Sequence, residues 1–235
     1  MQRSSAFILG FFLLLGATAL GMSISNGLLA FKTMERTVTV KGLAEREVPA
    51  DIVIWPVQYT RTGDDLSALY REIEDDKKRV LNFLELKGFK INEISVNAPI
   101  AYDKLSNQYG SSEGGYRYIL NQTLSIYSTK VDEARSAMVE IEELGKEGIT
   151  FKGDAYENLV EYLYSNLNEL KPDMLKEATL NARAAAQTFA DDSESKLGKI
   201  KTASQGQFSI NERDKNTPHI KTVRIVSTIV YYLND

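Results

Sequence analysis

Residues 4–31 contain no Asp, Glu, Lys or Arg, and within them the run AFILGFFLLLGATALGM, residues 6–22, carries one polar side chain, Thr18. At about 1.5 Å per residue, a helix over these positions reaches across a hydrocarbon core roughly 30 Å thick. The segment therefore predicts a transmembrane helix or a signal peptide. Ala17-Thr18-Ala19 offers an A-x-A-like cleavage site behind a short basic region holding Arg3. Against cleavage, apolar residues continue through Leu28, Leu29, Ala30 and Phe31 before Lys32 ends the run. An uncleaved anchor is the favoured reading, with residues 1–36 as anchor and linker and 37–235 as the domain. Arg3 faces Lys32 and Arg36 across the span, so flanking charge orients it weakly. A large domain behind a signal-like segment is expected beyond the cytoplasmic membrane, in the periplasm or outside the cell. Secretion to the periplasm after cleavage is the alternative.

Without Arg3 and Lys32, 26 of the 28 basic residues remain against 32 acidic ones, a formal charge of −6. Such a surface has no general attraction for nucleic acid or anionic lipid. The chain has no cysteine, which excludes disulfides, thiolate metal sites and cysteine nucleophiles.

Residues 38–43 and 50–62 are rich in Val, Ile, Thr, Trp and Tyr and read as two strands. Between them the charged KGLAERE reads as a turn, with Gly42 and Pro49 as punctuation. Leu66, Leu69, Ile73, Val80, Phe83 and Leu84 recur at helical spacing, with Asp64 or Asp65 as cap and Gly88 as terminator. Strands are expected at 93–102 and 116–128 around the polar loop SNQYGSSEGG, then a helix at 130–144. The order then recurs: strand 158–165, helix 172–197, strand 199–210, loop NERDKNTP, strand 222–233. This suggests a duplicated strand-helix-strand-strand unit. In the long helix Pro172 suits the first turn, and Leu175, Ala178, Ala182, Ala185 and Phe189 form the expected inner face. Antiparallel strand pairs and helices in this order predict an α+β fold with helices packed on one side of a sheet.

No residue pattern demands catalysis, a cofactor or a metal. Gly110-Ser111-Ser112-Glu113-Gly114 matches G-x-S-x-G, and the one histidine, His219, follows it. A nucleophile elbow needs a strand before the serine and a helix after it, whereas both flanks here are loop and strand. Acidic clusters occur at Asp64-Asp65, at Glu72, Glu74, Asp75 and Asp76, and at Asp191-Asp192; the middle one alternates with Lys77, Lys78 and Arg79 and reads as a solvated helix face. Asn121-Gln122-Thr123 is a formal glycosylation sequon inside an expected strand. Tyr102, Tyr109, Tyr116, Tyr118 and Tyr127 flank the first hairpin, and Tyr156, Tyr162 and Tyr164 precede the long helix. They read as strand packing or as interface residues.

TVTVKGLAEREVPADIVIW, NARAAAQTFADDSESKLGKI, QGQFSI and VRIVSTIVYYL together resemble the SIMPL-domain family of extracytoplasmic bacterial proteins over residues 37–233. The resemblance implies an α+β fold, a cell-envelope location, self-assembly into homo-oligomers, and links to oxidative stress or to immunogenic envelope proteins. It brings no catalytic motif. The resulting expectation is a noncatalytic, membrane-anchored protein that self-associates or binds envelope proteins. An envelope hydrolase using Ser112 with His219, or a small-molecule-binding protein, is the alternative.

Overall fold

The structure, a computed structural model, describes residues 2–33, 36–106, 115–152 and 159–234. In chain order these form α1 (Gln2–Thr33), β1 (Thr37–Pro49), β2 (Ile52–Gly63), α2 (Leu66–Leu86), β3 (Ile94–Val96), β4 (Ile100–Asp103) and β5 (Tyr118–Ser128). There follow α3 (Val131–Glu140), α4 (Glu142–Lys146), β6 (Thr150–Phe151), β7 (Glu161–Leu163), α5 (Leu167–Asp192), β8 (Lys196–Gln205), β9 (Ser209–Glu212) and β10 (Ile220–Asn234). Antiparallel pairing with interspersed helices makes the fold α+β, as the sequence predicts. One compact unit comprises Met1–Arg46, Asn168–Ser209 and Arg224–Asp235; the other comprises Glu47–Leu167 and Ile210–Val223.

The second unit is built on a sheet ordered β3-β5-β2-β6, with β4 also beside β5 and β7 beside β2. The β2–β5 register sets Trp55 opposite Ile126, Val57 opposite Leu124 and Tyr59 opposite Gln122. Because side chains alternate across a strand, these pairs share one face, and all of them are buried. Helix α2 covers that core with Leu69, Ile73, Val80, Phe83 and Leu84, and α3 adds Ala134 and Ala137. The Asp65 carboxylate accepts the Ser67 and Ala68 N–H groups and starts α2. Gly88 just beyond the helix has φ +90°, the left-handed conformation that ends it without a Cβ clash.

Two expectations for this unit change. The strand at 93–102 is interrupted: β3 ends opposite Leu124, and β4 resumes at Ile100 opposite Asn121. Residues 97–99 thus stand opposite Thr123 and Gln122, and Pro99 has no N–H for the ladder. Asp76, expected on a solvated face, is 1% exposed. Its carboxylate accepts two hydrogen bonds from the Arg61 guanidinium, at 2.5 and 2.7 Å. The neighbouring Lys77–Glu74 and Lys78–Asp75 pairs do lie at the surface.

In the first unit α5 packs on a sheet ordered β1-β10-β8. Val40, Ala182, Ala186, Ile229 and Tyr231 form its core. KGLAERE is no turn: β1 runs unbroken to Pro49. Lys41, Leu43, Glu45 and Glu47 point outward, while Val40, Gly42 and Ala44 are buried. Gly42 is a point of close approach, since a Cβ there would lie 1.8 Å from the Ala178 carbonyl oxygen and 2.5 Å from the Ala182 nitrogen. The buried line of α5 is Met174, Ala178, Ala182, Ala186 and Ala190, a strict i, i+4 ridge of mostly the smallest side chain. Phe189, expected inside, is 58% exposed, because a face this close to the sheet has no room for a ring. The helix also starts at Leu167, placing Pro172 in its second turn.

The order of element types does recur after β7, but β7 pairs with β2 rather than with β8 or β10, and a duplication is not shown. Helix α1 spans 32 residues, about 48 Å at helical rise. Among the described residues, no helix is long and apolar enough to cross a membrane.

Candidate functional site

A concavity of the second unit lies where the chain turns out of β1. There the Ala50 N–H donates to the His219 carbonyl at 2.8 Å and the Asp51 N–H to the Leu163 carbonyl at 2.9 Å. The Asp51 carboxylate accepts the Ser165 N–H at 2.8 Å, its hydroxyl at 3.1 Å, and the Asn166 N–H at 3.1 Å. One side chain thus pins the segment after β7 beside the start of β2, where Ile52 pairs with Leu163. The opposite wall is the β9–β10 hairpin, closed by the Arg213 N–H bond to the Ile220 carbonyl at 2.9 Å.

Between these walls lies a groove of about 550 Å³, within the 300–1,000 Å³ range of small-molecule sites. Ile52, Leu163 and Ile210 supply its apolar surface, and Ser165, Asn211, Glu212 and Lys221 its polar groups. Lys221 is the unusual member: its side chain is 7% exposed, and its Nζ lies 3.4 Å from Glu212 Oε1. Residues 212 and 221 neighbour each other across the hairpin, where an opposite-charge pair stabilises strand pairing. The hairpin tip is fixed by Asp214, which accepts the Asn216 and Thr217 N–H groups at 2.8 and 2.9 Å and bonds the Thr217 hydroxyl. The Thr217 hydroxyl and then Arg213 hold the Asp214 carboxyl down at about 2. Arg213 reaches Glu47 as well, at 3.2 Å.

Of the tyrosines singled out from the sequence, Tyr162 and Tyr164 line this groove. Ser112, Tyr109 and Tyr156 lie outside the described residues. His219 is partly buried at the end of the hairpin loop, its ring edge-on to Tyr162 with centroids 6.0 Å apart. Desolvation, then the charge of Arg135, lowers its pKa. The ring makes no hydrogen bond among the described residues. Asn121 and Gln122 of the sequon are buried in β5, where Gln122 accepts the Tyr59 hydroxyl at 2.8 Å. Burial pushes that phenol above its ordinary range, helped by Asp76 and Glu74. Tyr102, Tyr116 and Tyr127 are each more than half exposed, whereas Tyr162 is buried. Among the described residues no three His, Asp or Glu side chains cluster to hold a metal ion.

Sequence reasoning missed Lys221, although its signal is present. It stands two and four residues before Val223 and Ile225, in the inward phase of β10, where a lysine is out of place.

A second groove, of about 450 Å³, lies in the first unit between α5 and β8, with Leu180, Arg183, Gln187, Lys199 and Ile200 in its walls. Beyond it β8 stays exposed on both faces from Lys199 to Gln205. No curated protein matches the chain. The SIMPL family, described as a protein of unknown function (DUF541), matches residues 38–224, about four-fifths of the chain. With the match running from β1 into β10 through both units, the chain belongs to the SIMPL family.

Proposed function

We propose that this chain is a noncatalytic protein of the cell envelope, anchored by its N-terminal helix, that works by self-association or by binding other envelope proteins. The observation that carries this reading is the edge strand β8. Its one described neighbour is β10, and it is exposed on both faces for seven consecutive residues, Lys199 to Gln205. A free edge presents unpaired N–H and C=O groups to another strand. On β4 of the other unit, Ile100 and Tyr102 are 58% and 55% exposed, the kind of aromatic and aliphatic area that interfaces use. The charge-free residues 4–31 and the helix over them support the anchor. An anchor raises local concentration, so weak edge contacts suffice for assembly in place. The link to oxidative or envelope stress rests on the family resemblance.

Crosslinking of the full-length chain in membranes, followed by light scattering of the detergent-solubilised protein, tests the reading. Dimers or larger species are expected, and Thr202→Pro, which spoils the β8 edge, should reduce them. A monomer in both measurements refutes self-association. Mass analysis of the membrane fraction should find the uncleaved N-terminus; a chain beginning at Leu20 refutes the anchor. Ser112→Ala and His219→Ala should retain any envelope phenotype, and its loss in folded protein refutes the noncatalytic assignment.

A further inference from the structure

The protein offers the buried Lys221 ammonium little. Its side chain is 93% withdrawn from solvent, yet among the described residues its only acceptor is Glu212 Oε1 at 3.4 Å, the outer limit of a hydrogen bond. An ammonium carries three donors, and a buried charge with so little compensation is costly. Glu212 is half exposed and keeps its own solvation, so it is free to turn toward water when a better acceptor arrives. Asn211 also lines the groove; it is exposed, and its amide makes no hydrogen bond among the described residues. Leu163 across the groove and Ile210 on the same strand as Glu212 are 40% and 37% exposed, and with Ile52 they leave an apolar surface in the groove.

We propose that this groove binds a small monocarboxylate with an unbranched apolar tail. Lys221 Nζ and the Asn211 amide hold the carboxylate, and Ile52, Leu163 and Ile210 cover the tail. A single ammonium and one amide match one negative charge. A phosphate dianion would meet the same single cation with Glu212 beside it, and the repulsion disfavours it. The bound carboxylate replaces a long ion pair with shorter charge-assisted bonds, and the tail removes apolar surface from water.

The test titrates the full-length chain, in a neutral detergent, with sodium hexanoate, hexanol and hexylamine by calorimetry and saturation-transfer NMR. Hexanoate should bind saturably, and the two controls at least tenfold more weakly. Lys221→Met, which keeps the apolar stem, should lose at least tenfold in affinity. Asn211→Leu, at an exposed position harmless to the fold, should lose several-fold, and Glu212→Gln should bind as tightly as the native chain or more so. Absence of saturable hexanoate binding, equal binding of hexanol, or native affinity in Asn211→Leu overturns the proposal. So does native affinity in Lys221→Met. Should Lys221→Met fail to fold, the Asn211 and Glu212 variants decide.

Discussion

Gly42→Ala is the sharpest test of how α5 meets β1. The added Cβ would sit 1.8 Å from the Ala178 oxygen, 2.5 Å from the Ala182 nitrogen and 2.8 Å from the Ala182 Cβ. Ordinary carbon–oxygen contact begins at about 3.3 Å, so the helix backbone must retreat by roughly 1.5 Å. No rotamer relieves the clash, because two of the three atoms are backbone. A gap of 0.5–1 Å already forfeits about a quarter to a half of each dispersion contact, and the retreat opens such gaps along Ala178, Ala182 and Ala186, which are fully buried. Overpacking typically costs about 1–3 kcal/mol, and a rigid backbone clash belongs at the top of that range. At about 1.4 kcal/mol per tenfold, a loss of about 3 kcal/mol raises the open population roughly 100-fold. Hydrogen exchange of the full-length chain, read on the amides of residues 174–190, measures this directly. Gly145→Ala serves as control, since nothing lies within 4 Å of its added Cβ and α4 should gain about 0.5–1 kcal/mol. Gly42→Ala with unchanged protection in α5 would refute the close approach.

Three further outcomes are expected. Arg61→Met should destabilise by about 3–5 kcal/mol at neutral pH, because it strands a buried carboxylate; Asp76→Asn should cost less, since Arg61 is 26% exposed and reaches water. Urea unfolding followed by the fluorescence of the buried Trp55 on the same strand reads both, and equal costs would contradict the asymmetry. His219 has a folded pKa below its unfolded value near 6.5, so the unfolded state binds more protons between the two. Its contribution is present above about 6.5 and is lost as pH falls through the lowered value. Arg135 and Arg213 reinforce this lowering, whereas Asp132 and Asp214 oppose it, and His219→Gln should flatten the stability–pH slope in that window. Asn121 Oδ1 is buried with no hydrogen-bond partner among the described residues, an arrangement costing about 1–3 kcal/mol. Asn121→Val should therefore leave stability unchanged or raise it by about 1 kcal/mol, and a comparable loss in the same urea experiment would show that the amide is needed.

Helix α2 was legible in detail from its sequence, because its apolar spacing, its aspartate cap and its terminating glycine all act within a few residues of one another. β5 and β10 were legible as strands because their β-branched, aliphatic and aromatic residues run together within one element. The family strings likewise carried the α+β class. Other features depended on what each segment meets. β1 hid behind its charges because its inward positions are Gly42 and Ala44 rather than large apolar residues, and only the closeness of α5 explains that choice. Phe189 looked like a core residue until the same closeness excluded it. Asp76 and Lys221 stand in the inward phase of their elements, so the sequence marks both positions. Which of them is satisfied is a tertiary matter. Arg61, fifteen residues before Asp76, answers it with two short hydrogen bonds, whereas Glu212 gives Lys221 one long contact. Periodicity is a property of one element and can be read locally. The free energy of a buried charge depends on the atoms around it, and those come from strands and turns that only the folded chain brings together.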